Sequence, residues 1–147
     1  MKVPNKYWIR RDVGDVEFAK SFGDLSKVAI TVLKRMPQPV GEVCGPITSG
    51  GLGSREKNLE AFNKAIFALK YDGKNIFDQL PFEEKLFEFT QAVWYQGGLQ
   101  LLNEFYGPIF ESGLIKVLYF MPLWQTSLGA TWEHEQAQRL GIKIVYL

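Results

Sequence analysis

The fold is decided by residues 40–77, which read VGEVCGPITSGGLGSREKNLEAFNKAIFALKYDGKNIF. Residues 40–44 are predicted to form a short strand. Residues 45–54 contain too many glycines for regular structure, whereas residues 57–70 place apolar side chains on one face of a helix. A second strand follows at residues 75–77. The stretch therefore predicts a βαβ unit.

The remainder of the chain continues this alternation of strands and helices. Residues 116–120 are an apolar strand, a helix follows over about residues 128–140, and residues 142–147 form a last strand. Residues 82–112 are helical with interruptions. Strands that alternate with helices favour an α/β fold with a mostly parallel sheet, covered by helices on both faces.

Residues 1–39 differ from this pattern. Apolar side chains recur at helical spacing from Leu25 to Leu33, Asp24 is placed to cap the helix, and prolines 37 and 39 end it. We predict an N-terminal helical extension over residues 1–39, packed on a main α/β domain over residues 40–147. A partner-binding arm is the alternative interpretation of the extension.

Composition excludes several classes of function. The 147 residues suit one compact domain, and the net charge of +1 gives no reason to expect a nucleic-acid polymer or a membrane surface as a partner. One Cys (Cys44) allows no internal disulfide, and one His (His134) makes a histidine metal centre unfavourable. We therefore expect no metal. The chain shows no membrane-length apolar run and no signal peptide, which favours a cytoplasmic protein.

Two loops follow the carboxyl ends of predicted strands, where open α/β sheets bind ligands. They are residues 45–54 and 122–129, and both lead into helix N-termini that favour anions. The first loop matches neither a Walker A motif nor a dinucleotide fingerprint, because Gly50-Gly51-Leu52 and Glu56 stand at the deciding positions. It is either a loop that cradles a phosphate or a flexible surface loop.

The last predicted helix contains a carboxylate on its apolar stripe. Ala130, Glu133, Ala137 and Leu140 share one side, whereas Glu135 is rotated about 200° from Glu133. An inward glutamate is costly unless it is paired or faces a pocket. We interpret Glu133 as a nucleophile or acid/base group near the strand ends. A structural salt bridge to Arg or Lys of the extension is the alternative.

Three other residues have weaker chemical interpretations. Cys44 suits a small core residue better than a nucleophile, and His134 suits a surface or edge position. Trp124 precedes Ser127 in the second loop, where it could stack on a base or close the core.

These residues together resemble a known family. Cys44-Gly45-Pro46-Ile47, then Gly50-Gly51, and later Ser127-Leu128-Gly129-Ala130-Thr131-Trp132-Glu133 with Ala137, are similar to the nucleoside 2-deoxyribosyltransferase-like family. That family includes the 2'-deoxynucleoside 5'-monophosphate N-glycosidases. The resemblance covers residues 40–147.

The resemblance implies a flavodoxin-like (Rossmann-like) three-layer sandwich with about five parallel strands. It implies that Glu133 is the nucleophile that displaces the base, and that no cofactor is needed. Ser127 and Gly129 would hold the 5' end of the substrate, and Ile47 and Gly51, with Gly45 of the same loop, would line the pocket. Members of the family are commonly homodimers or larger homo-oligomers.

The chain departs from the family at one position. An aspartate that assists departure of the base is replaced here by Tyr106, with Glu104 two residues earlier. Tyrosine is a weaker acid for this task. We therefore expect an enzyme that cleaves or transfers the N-glycosidic bond of a nucleoside or nucleoside monophosphate, with Tyr106 or Glu104 as the acid. The alternative is a non-catalytic nucleotide sensor or scaffold that uses the same pocket.

Overall fold

A computed structural model describes residues 2–147, and these residues divide into two compact units. One unit comprises residues 2–36 with residues 79–114, and it is entirely helical. The other comprises residues 37–78 with residues 115–147, and it contains the sheet. This grouping differs from the predicted boundary between residues 39 and 40, because residues 79–114 associate with the N-terminal helices.

The helical unit contains α1 (Arg10–Glu17), α2 (Phe22–Leu33), α4 (Leu80–Thr90) and α5 (Gly107–Glu111), with a π-helical turn at Leu102–Tyr106 before α5. Aromatic contacts explain why residues 79–114 join the N-terminal helices. The Trp8 and Phe82 ring centroids are 5.2 Å apart, and those of Phe22 and Phe89 are 5.6 Å apart. The Ser26 hydroxyl donates a hydrogen bond to the carbonyl of Phe105. These apolar faces bury one another within a single core.

The sheet unit contains β1 (Val40–Cys44), α3 (Arg55–Tyr71), β2 (Asn75–Ile76), β3 (Ile115–Phe120), α6 (Leu128–Leu140) and β4 (Lys143–Tyr146). Its strands are all parallel and lie in the order β2-β1-β3-β4. The predicted α/β fold with a parallel sheet is confirmed. The order is the flavodoxin-like order without a fifth strand, so the sheet of residues 2–147 has one strand fewer than predicted.

Serine side chains begin three of the helices. Ser21, Ser54 and Ser127 are the N-caps of α2, α3 and α6, and each hydroxyl accepts from the backbone N–H three residues later. Serine is among the preferred N-cap residues because its oxygen satisfies an N–H that has no partner inside the helix. The prediction that Asp24 caps α2 was wrong, since its carboxylate accepts from the backbone of Lys20 instead.

None of the helices within residues 2–147 is both long and apolar enough to cross a membrane.

Candidate functional site

The carboxyl ends of β1 and β3 define the candidate site in the sheet unit. These strands are neighbours, and they run parallel in register from Gly41 opposite Val117 to Cys44 opposite Phe120. In the flavodoxin-like order, the point between these two strands is where the chain reverses its direction across the sheet, and ligands bind outside it. The loops over residues 45–54 and 121–127 follow the two strands at this edge.

A hydrogen bond and a close backbone approach hold the two loops together. The Gly51 N–H donates to the Thr126 hydroxyl at 2.8 Å. Gly50 has a φ of 72°, and a Cβ at this position would lie 2.4 Å from the Thr126 carbonyl oxygen. Only glycine fits here, because any side chain would clash with the backbone of the second loop. The glycines predicted to approach a phosphate therefore serve at least one structural purpose.

Asn58 organises the first loop from the first turns of α3. Its side chain is buried, and its amide donates to the carbonyls of Ile47 and Gly50 while its oxygen accepts from Leu52 N–H. Sequence reasoning missed this residue. Asparagine inside a helix competes for backbone hydrogen bonds, and this property was the available signal.

We predict that Asn58→Ala lowers the free energy of unfolding by about 2–4 kcal/mol, because it leaves two carbonyls and an N–H without their partner. Urea denaturation measures the change. Asn63→Ala is the matched control, since Asn63 lies on the same helix and is exposed, and it should change the free energy by about 0.5 kcal/mol or less. Equal effects of the two variants would contradict the role of Asn58.

Ser127 and Gly129 lie at the beginning of α6. Ser127 is buried, and its hydroxyl oxygen accepts from the N–H of Ala130 at 3.1 Å. Gly129 is in the first turn, where the leading N–H groups of a helix have no acceptor within it. The helix start therefore directs N–H groups and a positive dipole end toward the carboxyl edge of the sheet.

Glu133 lies almost two turns into α6 and is 6% exposed. The predicted inward orientation is confirmed. Burial raises the pKa of Glu133 to about 8, and a hydrogen bond from the Cys44 thiol opposes part of that rise. Among the described residues, the groups that shift the pKa of Glu133 include no Lys or Arg.

A second carboxyl lies on the same face of the sheet as Cys44. Glu42 is fully buried, and neither of its carboxyl oxygens has a hydrogen-bond partner within residues 2–147. Residues 42 and 44 project to the same side of β1 because side chains alternate along a strand. Sequence reasoning missed Glu42, although a charged residue inside the apolar run Val40–Cys44 was a visible signal.

The two carboxyls differ in which one ionises first. Burial raises the pKa of Glu42 well above its ordinary value, and the charge of Glu133 raises it further. Glu133 receives the thiol hydrogen bond and Glu42 receives none, so Glu133 loses its proton first and Glu42 stays neutral. Burial, followed by the charge of Glu133, also raises the pKa of the Cys44 thiol. Cys44 is therefore a buried hydrogen-bond donor, as its small-core interpretation suggested, and a poor nucleophile.

Glu42, Cys44 and Glu133 combine two carboxyl groups and a thiol, which are ligand types that can bind a metal ion. Among residues 2–147, no three or more His, Cys, Asp or Glu side chains have an arrangement that would hold a metal ion.

The remaining predicted residues fall into two groups. Gly45, Ile47, Gly51 and Trp124 belong to the sheet unit with Glu133, and the Trp124 ring stacks on His134 with 4.4 Å between centroids. Tyr106 and Glu104 belong to the helical unit. Tyr106 is buried against Phe105 at 4.8 Å between ring centroids, whereas Glu104 is exposed in the π-helical turn.

Comparison with protein-family models, with curated proteins and with solved structures found no match to this chain.

Proposed function

We propose that this chain cleaves or transfers the N-glycosidic bond of a nucleoside or nucleoside 5'-monophosphate, with Glu133 as the nucleophile. One observation carries the proposal. A buried carboxyl lies on the helix that starts at the carboxyl edge of the sheet, beside a second buried carboxyl, and no Lys or Arg of the described residues is among the groups that shift its pKa. Enzymes that break glycosidic bonds commonly use two carboxyl groups in different protonation states. The resemblance to the nucleoside 2-deoxyribosyltransferase-like family supports the same chemistry.

In this mechanism, ionised Glu133 attacks the anomeric carbon of the sugar. The bond from that carbon to the base nitrogen breaks, its electron pair leaves with the base, and the base takes up a proton. Water, or the nitrogen of another base, then attacks the same carbon and releases Glu133, so the configuration is retained. Glu42 keeps its own proton, so Glu133 does not ionise beside a second negative charge. The predicted acids Tyr106 and Glu104 belong to the helical unit and have no step in this mechanism, so the base takes its proton from water.

The beginning of α6 accounts for the other end of the substrate. Ser127 and the Gly129 backbone would hold the 5' hydroxyl or phosphate, because a helix N-terminus stabilises an anion. Gly45, Ile47 and Gly51 would line the pocket. The Gly51 N–H already donates to Thr126, so this glycine would contribute shape and not a free donor.

A turnover assay tests the proposed function. Purified protein is incubated with the four common deoxynucleosides, the four ribonucleosides and all eight 5'-monophosphates, and liquid chromatography measures the free base. We expect base release from at least one of them, or base exchange when a second base is added. Absence of both reactions from the whole panel between pH 6 and 9 would contradict the proposal.

The pH dependence of the reaction is a separate prediction. Because the pKa of Glu133 is about 8, its ionised fraction rises about tenfold per pH unit well below that value. We expect kcat/KM to rise with pH from 6 and to level off above about pH 9. Steady-state kinetics measure this profile. A rate that falls over the same range would assign Glu133 as an acid and not as the nucleophile.

The binding-module alternative is favoured by one observation. With a pKa of about 8, Glu133 is mostly neutral at pH 7, and a neutral carboxyl donates a hydrogen bond to a sugar hydroxyl without attacking it. A nucleotide sensor would show a ligand-dependent rise in Tm, no free base, and equal binding by Glu133→Gln.

We also propose a cytoplasmic location and a homodimer or larger homo-oligomer, as the resemblance implies. Sedimentation velocity at micromolar concentration tests the oligomeric state.

A further inference from the structure

Four aromatic rings gather at the carboxyl ends of β3 and β4. The aromatic cluster comprises Phe120, Trp124, His134 and Tyr146. Trp124 lies 15° from parallel to His134 and 25° from parallel to Tyr146, and its centroid is 5.3 Å from that of Phe120. The His134 Nε2 and the Tyr146 hydroxyl are 2.7 Å apart in a hydrogen bond. These contacts hold Trp124 and Tyr146 with their ring planes nearly aligned.

A cavity of about 430 Å³ opens beside the aromatic cluster. It is lined by residues 120–125 with Tyr146 and Leu147, and none of these side chains is charged. Its volume is within the range of small-molecule sites. Leu123, Tyr146 and Leu147 are 46%, 60% and 46% exposed, so the rim presents both apolar and polar atoms to solvent. A cavity that combines aromatic walls with a few polar groups is typical of a small-molecule site.

The turn that forms one wall of the cavity is conformationally strained. Leu123 has a φ of 68°, which leucine rarely adopts, and it precedes a short 3₁₀ turn over Trp124–Thr126. The Thr126 N–H and hydroxyl both bond to the Leu123 carbonyl, and the Trp124 N–H donates to Met121. Strain of this kind is concentrated at ligand-binding segments, where the surrounding hydrogen bonds maintain it. The turn therefore places Trp124 before any ligand arrives.

We propose that this cavity binds a neutral, planar heteroaromatic ring of about the size of a purine, stacked against the aromatic cluster. The aligned rings select a flat ligand, and none of the lining side chains is a cation that would bind a phosphate. The exposed Gln125 amide offers both a donor and an acceptor to the edge of the ring. The site does not include Glu133 among its lining residues, so binding here is independent of whether Glu133 reacts.

Titration of the full chain with adenosine tests the site. The Glu133→Gln background prevents turnover, and backbone NMR shifts with calorimetry measure binding. We expect shifts concentrated at residues 120–125 and 146–147. Trp124→Ala should weaken binding at least tenfold, and Trp124→Phe less than threefold, because a ring remains to stack. AMP should bind within threefold of adenosine.

Other outcomes would overturn the proposal. These are an absence of shifts at the named residues at millimolar adenosine, unchanged affinity in Trp124→Ala, or AMP binding at least tenfold tighter than adenosine. If Trp124→Ala does not fold, Gln125→Ala replaces it, with an expected loss of about threefold or more and with unchanged affinity counting against the site. Base release without shifts at the cavity would refute this site alone, whereas shifts without base release would refute the proposed reaction alone.

Discussion

Glu133→Gln should lower the rate of base release by about a thousandfold or more. Glutamine has nearly the same shape as glutamate and can accept the Cys44 hydrogen bond, but its amide cannot form the glycosyl ester. The loss should appear in kcat and in kcat/KM alike, because the missing bond forms only during reaction. Chromatographic assay of free base, with the most active substrate of the panel, measures both constants.

Glu135→Gln is the control for this variant. Glu135 is two residues further along α6 and is exposed, so the same chemical change there should leave the rate within about twofold of the wild type. Substrate binding by Glu133→Gln should persist within about tenfold. A Glu133→Gln enzyme with more than a tenth of the wild-type rate would exclude Glu133 as the nucleophile.

Glu42→Met should raise the free energy of unfolding by about 2–4 kcal/mol at pH 8. Methionine is similar in length and apolar, and it removes a fully buried carboxyl whose two oxygens have no hydrogen-bond partner. A buried carboxyl of this kind lowers the stability of the folded protein. Groups that lower stability in this way are commonly found at functional sites. Urea denaturation at pH 5 and pH 8 measures the change.

The pH dependence of this effect has a defined sign. Burial holds the pKa values of Glu42 and Glu133 above those of the unfolded chain, so the folded protein binds more protons between about pH 4.5 and 8. The free energy of unfolding of the wild type must then fall as pH rises through this window. Each carboxyl that is neutral in the folded protein and ionised in the unfolded chain contributes about 1.4 kcal/mol per pH unit to that fall.

In Glu42→Met, the free energy of unfolding should fall less steeply with rising pH than in the wild type, whereas Glu135→Met should follow the wild-type curve. A Glu42→Met protein that is less stable than the wild type at pH 8 would show that the carboxyl has a partner and would contradict its description as isolated.

Local patterns predicted most of the elements that position the site. Strand β1, strand β3 and helix α6 follow from apolar runs and helical spacing, and the inward side of Glu133 follows from the stripe it shares with Ala130 and Ala137. The grouping of residues 79–114 with the N-terminal helices did not follow. Periodicity identifies the apolar face of a helix but not the element that covers it.

The polar centre of the site was the least predictable part. Glu42 lies in a strand of only five residues, all of them buried. Whether both faces of such a strand are buried depends on which elements pack on the sheet, and local sequence does not determine that packing. The contact between the Cys44 thiol and Glu133 joins residues 89 positions apart in the sequence, so no local spacing encodes it. Trp124 and His134 are ten positions apart, and their stacking likewise depends on how β3, the turn and α6 fold together.

Mass spectrometry of the enzyme quenched during turnover tests the central claim most directly. The account predicts that a fraction of the protein gains the mass of one sugar unit, that peptide mapping assigns the gain to Glu133, and that Glu133→Gln shows no gain. Base release by a protein that carries the sugar on another residue, or that carries none while Glu133→Gln remains active, would contradict the account.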